Sequence, residues 1–256
     1  MRRHIIQICS FFAINNHFHK FIYQGTLKSF CLPGLNCYAC PLARFACPMG
    51  SFQHLIAIKQ FPFYVLGFIS FIGMLGGRIA CGFLCPFGFF QEILYKIKTI
   101  KIKIPKVFSY LKYIILLGVA VIIVWFTGEA WFCKLCPVGT IEGGIPRLGF
   151  YPDDRGLIGS LFYMKYTILL LVIVGAVFIK RVFCRAACPL GAIWGALNYV
   201  SFLKLKINSE KCNQCGICEK VCPMDIKIFE REESFDCIRC LKCKTLCPQS
   251  AIEIRY

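Results

Sequence analysis

The feature that most constrains this chain is a cysteine rhythm near its C-terminal end. Residues 212–222 place Cys at 212, 215, 218 and 222, residues 237–247 place Cys at 237, 240, 243 and 247, and proline follows each run. The pattern C-x2-C-x2-C-x3-C-P, present twice, is the one that holds two [4Fe–4S] clusters, the fourth thiolate of each run reaching across to the other cluster. We therefore expect Cys212, Cys215, Cys218 and Cys247 around one cluster, and Cys237, Cys240, Cys243 and Cys222 around the second. Pro223 and Pro248 end the two loops, because the ring prevents the backbone from continuing the same turn. Zinc ribbons also use thiolates, but as two C-x-x-C pairs at longer separation rather than eight cysteines in this rhythm.

The chain holds 19 cysteines in 256 residues, and seven precede a proline: Cys40, Cys47, Cys85, Cys136, Cys188, Cys222 and Cys247. Disulfides require no such spacing, whereas metal clusters do. Composition adds a second constraint. The chain is 57% hydrophobic and 17% charged, against about 25% charged in soluble domains, which points to lipid as the solvent for part of it. Residues 204–256 hold ten basic and eight acidic residues, the rest of the chain 20 basic and five acidic. Basic residues flanking apolar runs set membrane topology, so the net charge of +17 is no argument for nucleic acid.

Three segments, Phe61–Ile79, Val107–Phe126 and Leu157–Ile179, reach the roughly 20 apolar residues that a hydrocarbon core requires. Lys112 and Lys165 lie near span starts, where long side chains snorkel. A fourth candidate, Ile5–Tyr23, is interrupted by Asn15, Asn16, His17 and His19. Cluster insertion occurs in a reducing compartment, so the C-terminal part is expected in the cytoplasm. Working back from it, four spans put the N-terminus inside as well. The inner segments 1–4, 78–106 and 180–203 then carry 11 Lys and Arg, the outer segments 25–60 and 127–156 six, in the sense of the positive-inside rule. No cleavable signal peptide is evident.

The membrane part reads as doubled. Outer C-x-x-C-P motifs stand at Cys37/Cys40 and Cys133/Cys136, inner C-x-x-x-C-P motifs at Cys81/Cys85 and Cys184/Cys188, each after a candidate helix. The fold class expected is an all-α membrane domain of four transmembrane helices in two parallel pseudo-repeats (1–203), followed by an α+β, 2[4Fe–4S] ferredoxin-like domain (204–256). If each inner motif is helical, its two sulfurs share a face, and Cys81, Cys85, Cys184 and Cys188 could bind a third cluster. Cys37, Cys40, Cys133 and Cys136, with Cys47 as substitute ligand or resolving thiol, form an outer candidate site. There zinc, a disulfide or free thiols compete with a cluster.

The segments RIACGFLCPFGFFQEILYKI (78–97) and RVFCRAACPLGAI (181–193), with the paired C-terminal motifs, resemble the NapH-type membrane polyferredoxins. These are quinol-dehydrogenase partners of periplasmic nitrate reductase, related to nitrous-oxide-reductase maturation flavoproteins and to copper-handling proteins of oxidase assembly. The likeness runs from about residue 60 to 256. The outer motifs 36–50 and 131–146 depart from that pattern, and no flavin domain is present. The resemblance implies quinol-linked electron transfer in the cytoplasmic membrane, with a redox partner protein and a quinone, as an electron-transfer subunit rather than a stand-alone enzyme.

A quinone site needs an apolar cleft with a proton-exchanging group, and Gln91, Glu92, Glu129 and Glu142 are the candidates. No residue is assigned a catalytic role from sequence. Haem on His4, His17, His19 or His54 is disfavoured: there is no C-x-x-C-H motif, and His17 and His19 cannot share one ring. The run KIKTIKIKI (96–104) alternates as a strand would, but more simply holds a cytoplasmic segment against anionic lipid. Two other readings stay open: a copper reductase or cofactor-maturation protein, since thiolates favour Cu(I), and a non-enzymatic redox-sensing membrane regulator.

Overall fold

The computed structural model describes residues 2–15, 23–37, 40, 43–150, 156, 158–229 and 234–255. Helix α1 (Arg2–Ile14) accounts for the first part of the expected span Ile5–Tyr23. Residues 16–22, with His17 and His19, lie outside the described residues. After α1 come α2 (Pro48–Ala57), α3 (Phe63–Gly76), α4 (Ile79–Phe83) and α5 (Pro86–Leu94). Next are α6 (Val107–Thr127), with a π-helical stretch at Ile115–Ile122, and α7 (Trp131–Leu135). Helix α8 (137–150) follows, with a π stretch at Thr140–Gly144. The rest comprises α9 (Ser160–Phe178), α10 (Val182–Ala186), α11 (Pro189–Leu197), β1 (Lys204–Ile207), α12 (Ile217–Val221), α13 (Lys242–Thr245) and β2 (Ile252–Arg255).

Two helices among the described residues, α6 and α9, are long and apolar enough to cross a membrane, with mean hydropathies of 2.4 and 2.1. Their outward side chains are apolar: Phe126 is 82% exposed and Leu171 66%, a face that only an apolar surround stabilises. Helix α3 is shorter than the span expected at Phe61–Ile79. Its 14 residues rise about 21 Å. It stops because Gly77 turns to φ +56° against Asn198, whose Oδ1 would lie 2.0 Å from any Cβ placed there. Only glycine fits such a turn.

The interior is polar to an unusual degree. Arg78, Arg181, Lys112, Gln7 and Gln53 are fully buried, as is Trp194, whose Nε1 donates to the Ile69 carbonyl. Buried charge persists only where it is paired, and here the partners are carbonyls, carboxylates and thiols. The C-terminal segment is closed by β1 and β2, antiparallel, with Lys204 opposite Arg255 and Ile207 opposite Ile252. Leu205, Ile228, Cys243 and Ile252 pack between this pair and the two short helices. The run 96–104 forms no strand. Lys101 folds back onto the carbonyls of Tyr95, Ile97 and Val177 at 2.6, 2.7 and 2.8 Å, and Lys103 pairs with Glu219 at 3.0 Å.

Candidate iron–sulfur sites

The eight C-terminal thiols line two separate pockets. Cys212, Cys215, Cys218 and Cys247 surround one with Ile207 and Phe229. Cys222, Cys237, Cys240 and Cys243 surround the other with Met224 and Ile238. Each lining set takes three thiols from one run and the last thiol of the other run. Gly216 and Leu241, both left-handed, begin the short helices α12 and α13 and turn each cysteine loop back on itself. A [4Fe–4S] cubane requires four thiolate corners in an apolar cradle, and both donor sets fit that requirement. The first pocket is peripheral, with Cys215 exposed, while Cys222 and Cys243 of the second are buried.

Cys81, Cys85, Cys184 and Cys188 are all buried, between 3% and 9% exposed. The two inner motifs are not continuous helices. Cys81 lies in α4, but Cys85 has extended φ/ψ and caps α5, with Pro86 in the first helical position. Cys188 caps α11 in the same way, its sulfur accepting the Gly191 N–H at 3.3 Å. Pro86 and Pro189 cause this break, since proline is accommodated at a helix start and not within one. The four thiols nonetheless converge: Cys85 feels both Cys184 and Cys81, as does Cys188. Burial first, and then these neighbours, push the Cys85 thiol up to about 12. Such thiols ligate only where positive charge compensates the thiolates.

That charge comes from two arginines which the topology argument had counted only as inside markers. Arg78 donates to the Cys184 carbonyl at 3.1 Å and Arg181 to the Cys81 carbonyl at 3.0 Å. Each stands three residues before one inner cysteine and binds the backbone of the other motif. The signal was present in sequence as R-x2-C, repeated in both inner motifs. Gln91 is equally committed: Nε2 donates to Cys184 Sγ at 3.2 Å and Oε1 accepts the Phe183 N–H at 3.0 Å. Glu92 pairs with Arg3, Arg181 and Lys242. Burial opposes its ionisation, but Arg181 and Arg3 hold its carboxyl below the usual range. Gln91 and Glu92 are thus committed to contacts around the inner thiols.

The C-terminal segment is seated directly on this site. A Cβ on Gly82 would lie 2.5 Å from the Ile238 carbonyl oxygen and 3.6 Å from Cys240. Arg78 reaches the Phe235 carbonyl at 3.0 Å and Asp236 at 3.2 Å, and Asp236 also pairs with Lys112. Asn198 Nδ2 donates to the carbonyls of Ser234 and Cys237, both at 2.9 Å.

The candidates expected on the outer face divide. Cys47, Cys133 and Cys136 lie together, and Gln53 donates to Cys133 Sγ at 3.4 Å. The Cys37 and Cys40 thiols share a hydrogen bond, and Cys40 Sγ contacts the Glu142 carbonyl oxygen at 3.4 Å. Glu142 is 4% exposed and its Oε2 has no partner. Burial, then Cys40, push its carboxyl up to about 8 against the Cys37 amide. Glu142 also lines an apolar groove of about 240 Å³ with Phe11, Pro86, Phe87, Phe90 and Ile141. The groove adjoins the inner site, because Pro86 follows Cys85 and Phe87 stacks edge-on against Phe183, 5.3 Å between centroids. Glu129, by contrast, is surface-paired with Lys134 at 2.5 Å. Among the described residues no three His, Cys, Asp or Glu side chains are grouped as a single metal ion would need. A cubane takes its ligands at four corners rather than around one atom.

Comparison with known proteins gives the same chemistry. A 4Fe-4S binding domain model matches residues 44–62, 60–105, 112–149 and 161–209, and a second 4Fe-4S binding domain model matches 205–227. An uncharacterized protein of Methanocaldococcus jannaschii (MJ0750) is 32% identical over 92% of this chain and 91% of its own length. The regulatory protein NosR of Stutzerimonas stutzeri is 32% identical over 67% of this chain and 24% of its own. The methylamine utilization ferredoxin-type protein MauN of Paracoccus denitrificans is 27% identical over 59% of this chain and 50% of its own. No solved structure matches. The chain belongs to the 4Fe-4S binding domain family, in its polyferredoxin-like group of membrane proteins.

Proposed function

We propose that this protein conducts electrons between a redox partner in the cytoplasm and a quinone in the membrane. In this reading residues 1–203 form four transmembrane helices in two parallel pseudo-repeats, and residues 204–256 form a 2[4Fe–4S] domain on the cytoplasmic face with the N-terminus. Cys212, Cys215, Cys218 and Cys247 hold the peripheral cluster, Cys237, Cys240, Cys243 and Cys222 the second, and Cys81, Cys85, Cys184 and Cys188 a third. Bound clusters of this kind supply one-electron transfer. The partition of the C-terminal thiols into two pockets and the reciprocal Arg78 and Arg181 contacts across the two inner motifs support these assignments.

The observation that carries the reading is the contact of Gly82 with Ile238 and Cys240. It sets the second C-terminal pocket against the inner thiols, and the Phe87 groove adjoins those thiols in turn. The peripheral pocket, with Cys215 exposed, faces the partner. In the groove the ring of a quinol packs on Phe87 and Phe90, and the unpartnered Oε2 of Glu142 accepts a hydrogen bond from its hydroxyl. Arg78 and Arg181 offset thiolate charge at the inner site.

Replacing Glu142 with Gln is expected to slow quinol-dependent reduction of the protein by about 10²-fold or more, the lower end for a positioned acid or base. Iron content and reduction by dithionite should stay unchanged. An unaltered quinol rate removes the groove from the account. The likeness to a protein named as regulatory favours one other reading, a redox sensor without turnover. That reading predicts no quinol-dependent reduction in the unmodified protein.

A further inference from the structure

The outer side of the molecule repeats the construction of the inner site, with a ligand set that sequence spacing alone does not select. Four cysteines stand in the same setting. Cys47, Cys85, Cys136 and Cys188 each precede a proline at the first helical position, and their φ/ψ values agree closely: −72/126°, −74/111°, −69/121° and −77/109°. In each case the amide of the glycine three residues on (Gly50, Gly88, Gly139 and Gly191) is directed at the sulfur.

The correspondence extends beyond the motif. Gln53 stands six residues after Cys47 as Gln91 does after Cys85. Both are fully buried. Gln53 donates Nε2 to Cys133 Sγ at 3.4 Å and accepts the Phe132 N–H at 3.1 Å, as Gln91 does with Cys184 and Phe183 at 3.2 and 3.0 Å. Cys47, Cys133 and Cys136 therefore take the places of Cys85, Cys184 and Cys188.

The place of Cys81 is the open one, because the residue four before Cys47 is Ala43. Cys31 is brought there from elsewhere in the chain. Leu32 N–H donates to the Ala46 carbonyl and Ala46 N–H to the Phe30 carbonyl, both at 3.0 Å. This parallel bridge sets Cys31 against Ala46, next to Cys47. Cys31 is 8% exposed, and its sulfur lies 3.9 Å from Oγ of Ser51, in the first turn after Cys47.

Cys37 is the competitor, since it also reaches Cys136. Its sulfur, however, lies 3.2 Å from the position of a Cβ on Gly139. At the inner site the equivalent glycines, Gly88 and Gly191, are covered at 3.0 and 2.7 Å by the guanidinium groups of Arg181 and Arg78. Cys37 thus stands where the inner site keeps a covering side chain, not a ligand, and it shares a hydrogen bond with Cys40.

We infer that Cys31, Cys47, Cys133 and Cys136 form a second buried four-thiolate site, built to hold a further [4Fe–4S] cluster, from which Cys37 and Cys40 are excluded. The inference does not rest on the quinone reading.

The test is iron, acid-labile sulfide, zinc and copper content of the full chain, purified anaerobically in detergent. With four cubanes the protein should carry about 16 iron atoms. The Cys37→Ser/Cys40→Ser double variant should keep all of them, because it leaves only Cys31 to complete the outer set. Cys31→Ser should lose about four iron and four sulfide, with the EPR of the C-terminal clusters retained as evidence of folding. If Cys31→Ser does not fold, the double variant still decides. Loss of four irons from the double variant assigns the site to Cys37 and Cys40 and overturns the inference. So does a parent count of about 12 that Cys31→Ser leaves unchanged, or one zinc or copper per chain that Cys31→Ser removes. A parent count of 12 that falls further in Cys184→Ser would leave the inner cluster standing while removing the outer one.

Discussion

Replacing Arg78 with alanine is expected to destabilise the folded protein by about 3 kcal/mol or more, the cost of breaking a buried charge pair. For a chain of this size that is roughly a 10 °C fall in the melting midpoint. The guanidinium is fully buried and serves three acceptors at once: the Cys184 carbonyl, the Phe235 carbonyl and the Asp236 carboxylate. Alanine removes a donor from two carbonyls and leaves Asp236 to Lys112 and Ser109. Lysine at position 78 should recover only part of the loss, since a point charge cannot reproduce a planar fork of donors. The check is thermal unfolding in detergent followed together with EPR of the reduced clusters. A change below about 1 kcal/mol in the alanine variant, the range of an exposed pair, would show that Arg78 does not tie the inner site to the C-terminal segment.

The second large effect is expected at Gly82. Its missing side chain admits the Ile238 backbone, and even a Cβ would come within 2.5 Å of that carbonyl oxygen. The obstacle is backbone on both sides, so relief requires the C-terminal segment to move away. Gly82→Val should cost about 1–3 kcal/mol, as overpacking does. Its larger consequence is functional. Electron tunnelling falls exponentially with distance, so in the proposed reading clusters on the two sides of this contact exchange electrons more slowly while each remains assembled. Full iron content with slowed electron transfer between the C-terminal clusters and the inner one is the expected outcome. A wild-type transfer rate in Gly82→Val would mean that electrons do not pass through this contact.

The two kinds of site differ in how far the sequence discloses them. The C-terminal thiols are legible because three of each set sit on one short loop, so their spacing along the chain is nearly their spacing in space. The inner pairs are legible as pairs, but proline makes Cys85 and Cys188 helix caps rather than helix residues. Arg78 and Arg181 look like surface charge in sequence because the carbonyls that bury them come from a motif about a hundred residues away. The outer set is ambiguous for a related reason. Cys40-Pro41 and Cys47-Pro48 stand seven residues apart, and counting offsets favours the first, whereas the glycine amide and the Gln53 contacts favour the second. Cys31 joins through a backbone bridge that leaves no mark on spacing. The short α3 has a local cause, since the turn at Gly77 depends on Asn198. The run 96–104 pairs with no strand among the described residues; Lys101 and Lys103 instead find carbonyls and Glu219.

The central claim is that the buried thiols of Cys81, Cys85, Cys184 and Cys188 hold a cluster coupled to those of the C-terminal segment. It is tested most directly by iron and sulfide analysis of the anaerobically purified chain beside its Cys184→Ser variant, with EPR of the dithionite-reduced samples. The account predicts at least about 12 iron atoms per chain, a loss of about four in the variant, and a simpler spectrum once the inner partner is gone. About eight iron atoms in the unmodified chain, with a two-cluster spectrum that Cys184→Ser leaves unchanged, would contradict it.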